Sequence, residues 1–168
     1  MPDTADYLAR IREQAAGKDP LEAQAATAKT LGDLIDDATD TELKRRPSPG
    51  KWSIGEILAH LAEDEISSAW RYRQMVEHNG IELAGFDQDL WATLGNYAER
   101  IPQESLALFR LLRSANLDFL RSLSAEQWEC FGIHAERGRI TVRELAQHMV
   151  GHDINHVGQI RRILELVA

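Results

Sequence analysis

The chain has a single cysteine, Cys130. No internal disulfide can form, and no paired-cysteine metal site exists. Cys130 follows "EQWE" in a short connector and reads as a packing residue, because a nucleophilic thiol needs a nearby base and a lowered pKa. Long apolar runs are also missing: nothing approaches the roughly 18 residues of a membrane-crossing helix. The start, "MPDTADYLARIREQ", carries acids and lacks the basic and apolar segments of a secretory signal, so the expectation is a cytoplasmic protein with no membrane partner. Positive charge is scarce, with 19 Lys and Arg against 27 Asp and Glu and a formal net charge of -8. Nucleic acids and anionic bilayers select a basic face. The clusters "LKRRP" (43–47) and "IRRIL" (160–164) are too short to supply one, so no nucleic-acid partner is expected.

What the chain does have is helical periodicity. Its 168 residues and 43 % hydrophobic content suit one domain spanning 1–168, with a core that needs no staples. "DTADYLARIREQAAG" predicts a short N-terminal helix ending near Gly17. "PLEAQAATAKTLGDLIDDA" predicts the first long helix, opened by Pro20, and the prolines of "RRPSPGKW" break it. Ser53 and Glu56 form an S-x-x-E capping box at the head of a second long helix that stops near Asn79-Gly80. Residues 80–102, "GIELAGFDQDLWATLGNYAERIP", are the least regular and long for a bundle loop. A third long helix follows Pro102, Ser124 caps a short helix "AEQWEC", and Thr141 with Glu144 caps a last helix running to about Leu166. Four long amphipathic helices predict an all-α four-helix bundle in which the long connection crosses the bundle instead of turning back tightly.

Half of the six histidines lie in "HMVGHDINHVGQIRRIL" (148–164), as His148, His152 and His156. At about 100° per residue from Val142, the apolar residues Leu145, Met149, Ile160, Ile163 and Leu164 fall in an arc from roughly 300° to 40°. His156 lies inside this arc near 320°, His152 on its edge near 280°, and His148 further out near 240°. Residues at i and i+4 stand about 5–6 Å apart on a helix, so His152 and His156 can hold one metal ion. The stretch reads "HDINH", without the general-base glutamate of the HExxH metalloproteases. A third ligand must come from elsewhere, and His60, His78 and His134 are the candidates. His78 ends the second helix, His134 lies in the turn "HAERGRI", and His60 falls at the edge of its helix's apolar arc. Asp64, one turn after His60, points closer to the interior. A di-metal carboxylate bundle needs Glu-x-x-His pairs, and the nearest approach is Asp153-Ile154-Asn155-His156.

The two elements "KWSIGEILAHLAEDE" and "GRITVRELAQHMVGHDINHVGQIRRIL", with "FDQDLWA" between them, make the chain resemble the DinB/YfiT-like family of metal-binding proteins from about residue 25 onward. The matching motifs are W-S-x-x-E-x-x-x-H-L and H-D-x-x-H-x-x-Q-I. The resemblance implies a four-helix bundle of up-down-down-up topology and a divalent metal, zinc or nickel, held by His60, His152 and His156. It also implies a small-molecule substrate, since some members transfer low-molecular-weight thiols, and a homodimer. His148 is then a flanking, outer-sphere residue and Asp64 a base or an orienter of a ligand. Phe86, Trp91 and Tyr97 become candidate walls of a substrate pocket. Two functions follow from such a site: a metal-dependent transferase or hydrolase, and a non-enzymatic metal-stabilised bundle that binds a ligand in stress response.

Overall fold

The structure, a computed structural model, describes residues 4–167, so Asp3, the first residue of the expected N-terminal helix, lies outside the described residues. Helix α1 (Thr4–Ala15) precedes α2 (Pro20–Ile35), where Asp19 caps the helix and Pro20 stands at its first turn. The expected extension of α2 to residue 38 is not found. It ends at Ile35, and Thr39 and Glu42 form a capping box for a separate short helix, α3 (Asp40–Lys44). The Ser53–Glu56 box opens α4 (Ile54–Glu77) as expected, with the Glu56 side chain accepting from Ser53 N–H and the Ser53 hydroxyl accepting from Glu56 N–H. Helix α5 (Gln88–Leu94), a 3-10 turn (Tyr97–Glu99), α6 (Pro102–Arg121), α7 (Ala125–Trp128) and α8 (Val142–Val167) complete the helices. Thr141 and Glu144 cap α8 reciprocally. Among the described residues no helix is long and apolar enough to cross a membrane.

Two apolar clusters fix the helix directions. One joins Leu31 and Ile35 from the end of α2, Ile54 and Leu58 from the start of α4, Leu106 and Phe109 from the start of α6, and Ile160 and Ile163 from the end of α8. The other joins Leu21, at the start of α2, with Tyr72 and Met75 late in α4, Leu120 late in α6, and Val142 and Leu145 at the start of α8. Helices α2 and α8 therefore run one way and α4 and α6 the other, which is the up-down-down-up order. The parallel pair α4 and α6 needs a connection that travels back along the bundle, and residues 78–101 supply it.

That connection contributes one strand to a sheet the helical periodicity did not predict, and the segment between α7 and α8 contributes the other two. Strand β1 (Ile81–Leu83) pairs in parallel with β2 (Phe131–His134), which pairs antiparallel with β3 (Gly138–Thr141). Helix α1 packs along α8. The contact depends on Gly151, where a Cβ would lie 2.1 Å from the Ile11 carbonyl oxygen.

Candidate metal centre

Helices α4 and α8 run antiparallel, so an early residue of α4 faces the middle of α8. His60 meets His152 and His156 there, and all three are buried. His60 Nε2 and His152 Nε2 stand 3.1 Å apart, and one ring nitrogen from each of the three lies within 4.8 Å of the others. Two nitrogens about 2.0–2.1 Å from a tetrahedral zinc ion are separated by roughly 3.3 Å, so the spacing fits a shared ion. Among the described residues no other group of three or more His, Cys, Asp or Glu converges in this way.

Burial holds the imidazoles neutral. It lowers His60 to about 4, with the charge of His156 acting in the same direction and Asp64 against it. Burial also takes His152 and His156 well below the usual histidine range. His156 Nδ1 lies 3.1 Å from Gln159 Oε1. That oxygen only accepts, so Nδ1 carries the proton and Nε2 keeps its lone pair for the cluster. His152 Nδ1 approaches Asp64 Oδ2 at 3.5 Å. It makes no hydrogen bond of good geometry.

A family model described as the DinB superfamily matches residues 22–160. The chain belongs to the DinB superfamily. Over 134 residues it is 24 % identical to "Putative metal-dependent hydrolase YfiT" of Bacillus subtilis (strain 168), covering 79 % of this chain and 75 % of the relative. It is 22 % identical over 132 residues to "Putative metal-dependent hydrolase OB0413" of Oceanobacillus iheyensis, covering 78 % and 75 %. The solved structure of YfiT, described as a probable metal-dependent hydrolase with an unusual four-helix bundle topology, superposes with a TM-score of 0.80 at 21 % identity, covering 86 % of this chain and 83 % of that one. A mycothiol-dependent maleylpyruvate isomerase shares the fold at a TM-score of 0.63 and 14 % identity, over 89 % of this chain and 60 % of that protein.

In this DinB-superfamily chain two of the three histidines, His60 and His152, border a cavity of about 590 Å³, and His156 packs behind them. His60, His152, Asp64 and His148 all line it, with Tyr7 and Phe86. His148 sits beside His152, ring centroids 6.3 Å apart. Burial, then the charges of Arg137, Arg71 and Arg12, lower it to about 3. His134 reaches the same cavity from β2, whereas His78 stays exposed beside Glu77. Of the three aromatics expected as walls, Phe86 borders the cavity and Trp91 backs it, its ring centroid 4.3 Å from that of Phe86. Tyr97 instead packs edge-on against Trp52, whose ring lies 5.1 Å from that of His60.

Two further groups brace the centre, and sequence reasoning gave them no role. Gln159 stood in the quoted H-x-x-Q-I motif, and its spacing of three residues from His156 was the signal. Arg113 of α6 left no local signal. Its guanidinium pairs with Asp153 at 2.6 Å and Glu65 at 2.8 Å and donates to the Gln24 carbonyl, tying four helices together beside the histidines.

Proposed function

We propose that the protein is a metal-dependent enzyme acting on a small molecule, by hydrolysis or by transfer to a thiol, with His60, His152 and His156 as the ligands. The observation that carries this reading is the convergence of three buried imidazole nitrogens, two of whose rings, His60 and His152, border a cavity. The donor set fits, because metals take neutral imidazole and burial keeps these rings uncharged. Nitrogen ligands of this type suit zinc or nickel. When bound, such an ion supplies Lewis acidity and lowers the pKa of a water or thiol beside it toward about 7. The names of the relatives, metal-dependent hydrolases and a thiol-dependent isomerase, support the same class.

The chain's own residues do the remaining work. Asp64 lines the cavity beside His152. It offers a carboxylate that takes a proton from an incoming water or thiol, and lies near enough to His152 Nδ1 to accept from that ring when a substrate draws it in. Gln159 fixes the His156 tautomer. His148 stays neutral at the rim and limits the angle at which a substrate enters. The cavity volume falls in the range of about 300–1,000 Å³ typical of small-molecule sites.

Turnover tests the proposal. Metal-stripped protein reloaded with zinc or nickel should hydrolyse members of an ester and amide panel or transfer thiols. Asp64→Asn should lower that rate by roughly 10–100-fold, the usual effect of removing a group that orients a ligand. Inactivity of metal-loaded protein in both reaction classes would overturn the enzymatic reading and leave a metal-stabilised binding protein.

A further inference from the structure

The cavity wall away from the triad carries two arginines, although the chain as a whole is acidic. Arg71 on α4 and Arg137 in the β2–β3 turn are half-buried and line the cavity. Five other arginines, Arg46, Arg100, Arg113, Arg121 and Arg143, sit in ion pairs. Among the described residues Arg71 and Arg137 form none. Arg71 donates one N–H to the Ala84 carbonyl at 2.8 Å, and its guanidinium lies 5.5 Å from the Phe86 ring centroid, which leaves further donors of its fork available. Burial lowers Arg137, and the charges of Arg71 and Arg12 lower it further. Tyr7 and then Asp64 oppose this, while the other acids lining the cavity, Asp87 and Glu136, are exposed. Tyr7 of α1 also lines the wall. Burial, reinforced by the Asp64 charge, raises its hydroxyl to about 12, so it remains a proton donor. Helix α1 lies outside the span 22–160 matched by the family model.

We propose that this wall is a selectivity site for the anionic head of the substrate, a carboxylate or a phosphate, gripped by Arg71 and Arg137 with Tyr7 as a further donor. A bound anion relieves the repulsion between the two guanidiniums and accepts the donors that the protein leaves unused. The reactive end of the same molecule then reaches the triad, and in this the inference rests on the metal-dependent reading above.

Calorimetric titration of succinate and of inorganic phosphate into the full chain at low salt tests it, with metal-stripped and zinc-loaded samples in parallel. At least one anion should bind saturably to the metal-stripped protein. R71Q and R137Q should weaken that binding at least tenfold, Y7F several-fold, and the exposed control R73Q not at all. Whichever anion shows this pattern names the head group. Should R71Q fail to match the wild-type circular dichroism, R137Q in the surface turn carries the comparison. Absence of saturable binding, binding seen only with zinc, or binding equal in wild type and R137Q would overturn the site. Zinc uptake measured on the same samples separates the two proposals. Anion binding without zinc uptake keeps the pocket and sinks the metal reading, and zinc uptake without anion binding does the reverse.

Discussion

Gln159 and Asp64 each face the outer nitrogen of an imidazole in the triad, and they differ in grip. Gln159 makes a hydrogen bond to His156 at 3.1 Å, whereas Asp64 approaches His152 at 3.5 Å. Removing the first should therefore release a fixed tautomer. Gln159→Leu should reduce metal affinity by about 10–100-fold while leaving the helical signal unchanged, measured by competition with a chelator of known affinity. An unchanged affinity would show that helix packing alone orients His156. Much of this was legible in the residues. The i, i+4 spacing put His152 and His156 on one stripe, and Asp153, about 100° away, pairs elsewhere, with Arg113. Arg113 itself was illegible, because its partners lie 40 and 48 residues away and nothing local marks a long-range ion pair.

Helix α4 depends on its first turn. Burial raises the Glu56 pKa, but hydrogen bonds and charge from Arg46 and bonds from Ser53 outweigh it, and the net shift is downward from 4.5. A carboxylate with a lowered folded pKa stabilises the fold above its unfolded pKa, and that contribution is lost as pH falls through the lowered value. Denaturant unfolding should thus show stability falling below pH 4.5 more steeply in wild type than in Glu56→Gln. Equal slopes would remove Glu56 from the account. Helix α1 depends on one close approach instead. Gly151→Ala forces a methyl onto the Ile11 backbone and should cost about 1–3 kcal/mol, as overpacking does, with hydrogen exchange rising first in α1. Unchanged protection there would show that α1 docks otherwise.

The capping boxes and the 3.6-residue period made the long helices readable. The strands have three or four residues each, at or below the span over which alternation can be recognised, and non-local pairing defines them. Helix α3, with five residues, escaped for the same reason, although its Thr39–Glu42 box was a signal in the sequence.

Across the whole molecule, the buried Arg113 group holds α2, α4, α6 and α8 in the register that brings His60 to His152. Arg113→Met would leave Glu65 and Asp153 buried without a counter-charge and should destabilise the fold by about 3–5 kcal/mol, read from urea unfolding at neutral pH. A loss below about 1 kcal/mol would be within the range of surface ion pairs and would deny the group this role. The metal should act at the same scale. Ligands drawn from two helices couple binding to folding, so zinc should raise the melting temperature of wild type and leave that of His152→Ala unchanged. The order of the four helices was readable only in part. Periodicity supplied their number and the length of the 80–102 segment indicated a crossover, while the parallel pairing of α4 with α6 came from the family resemblance alone, and the apolar clusters at the two ends of the bundle bear it out.

Metal content per chain, measured by elemental mass spectrometry on tag-free protein beside His60→Ala, His152→Ala and His156→Ala, tests the centre most directly. The account predicts about one equivalent in wild type, as expected for a single three-ligand site, and loss of that metal in each variant. No uptake by wild type after reconstitution, or metal retained in all three variants, would contradict it and return these histidines to polar packing inside a helical bundle.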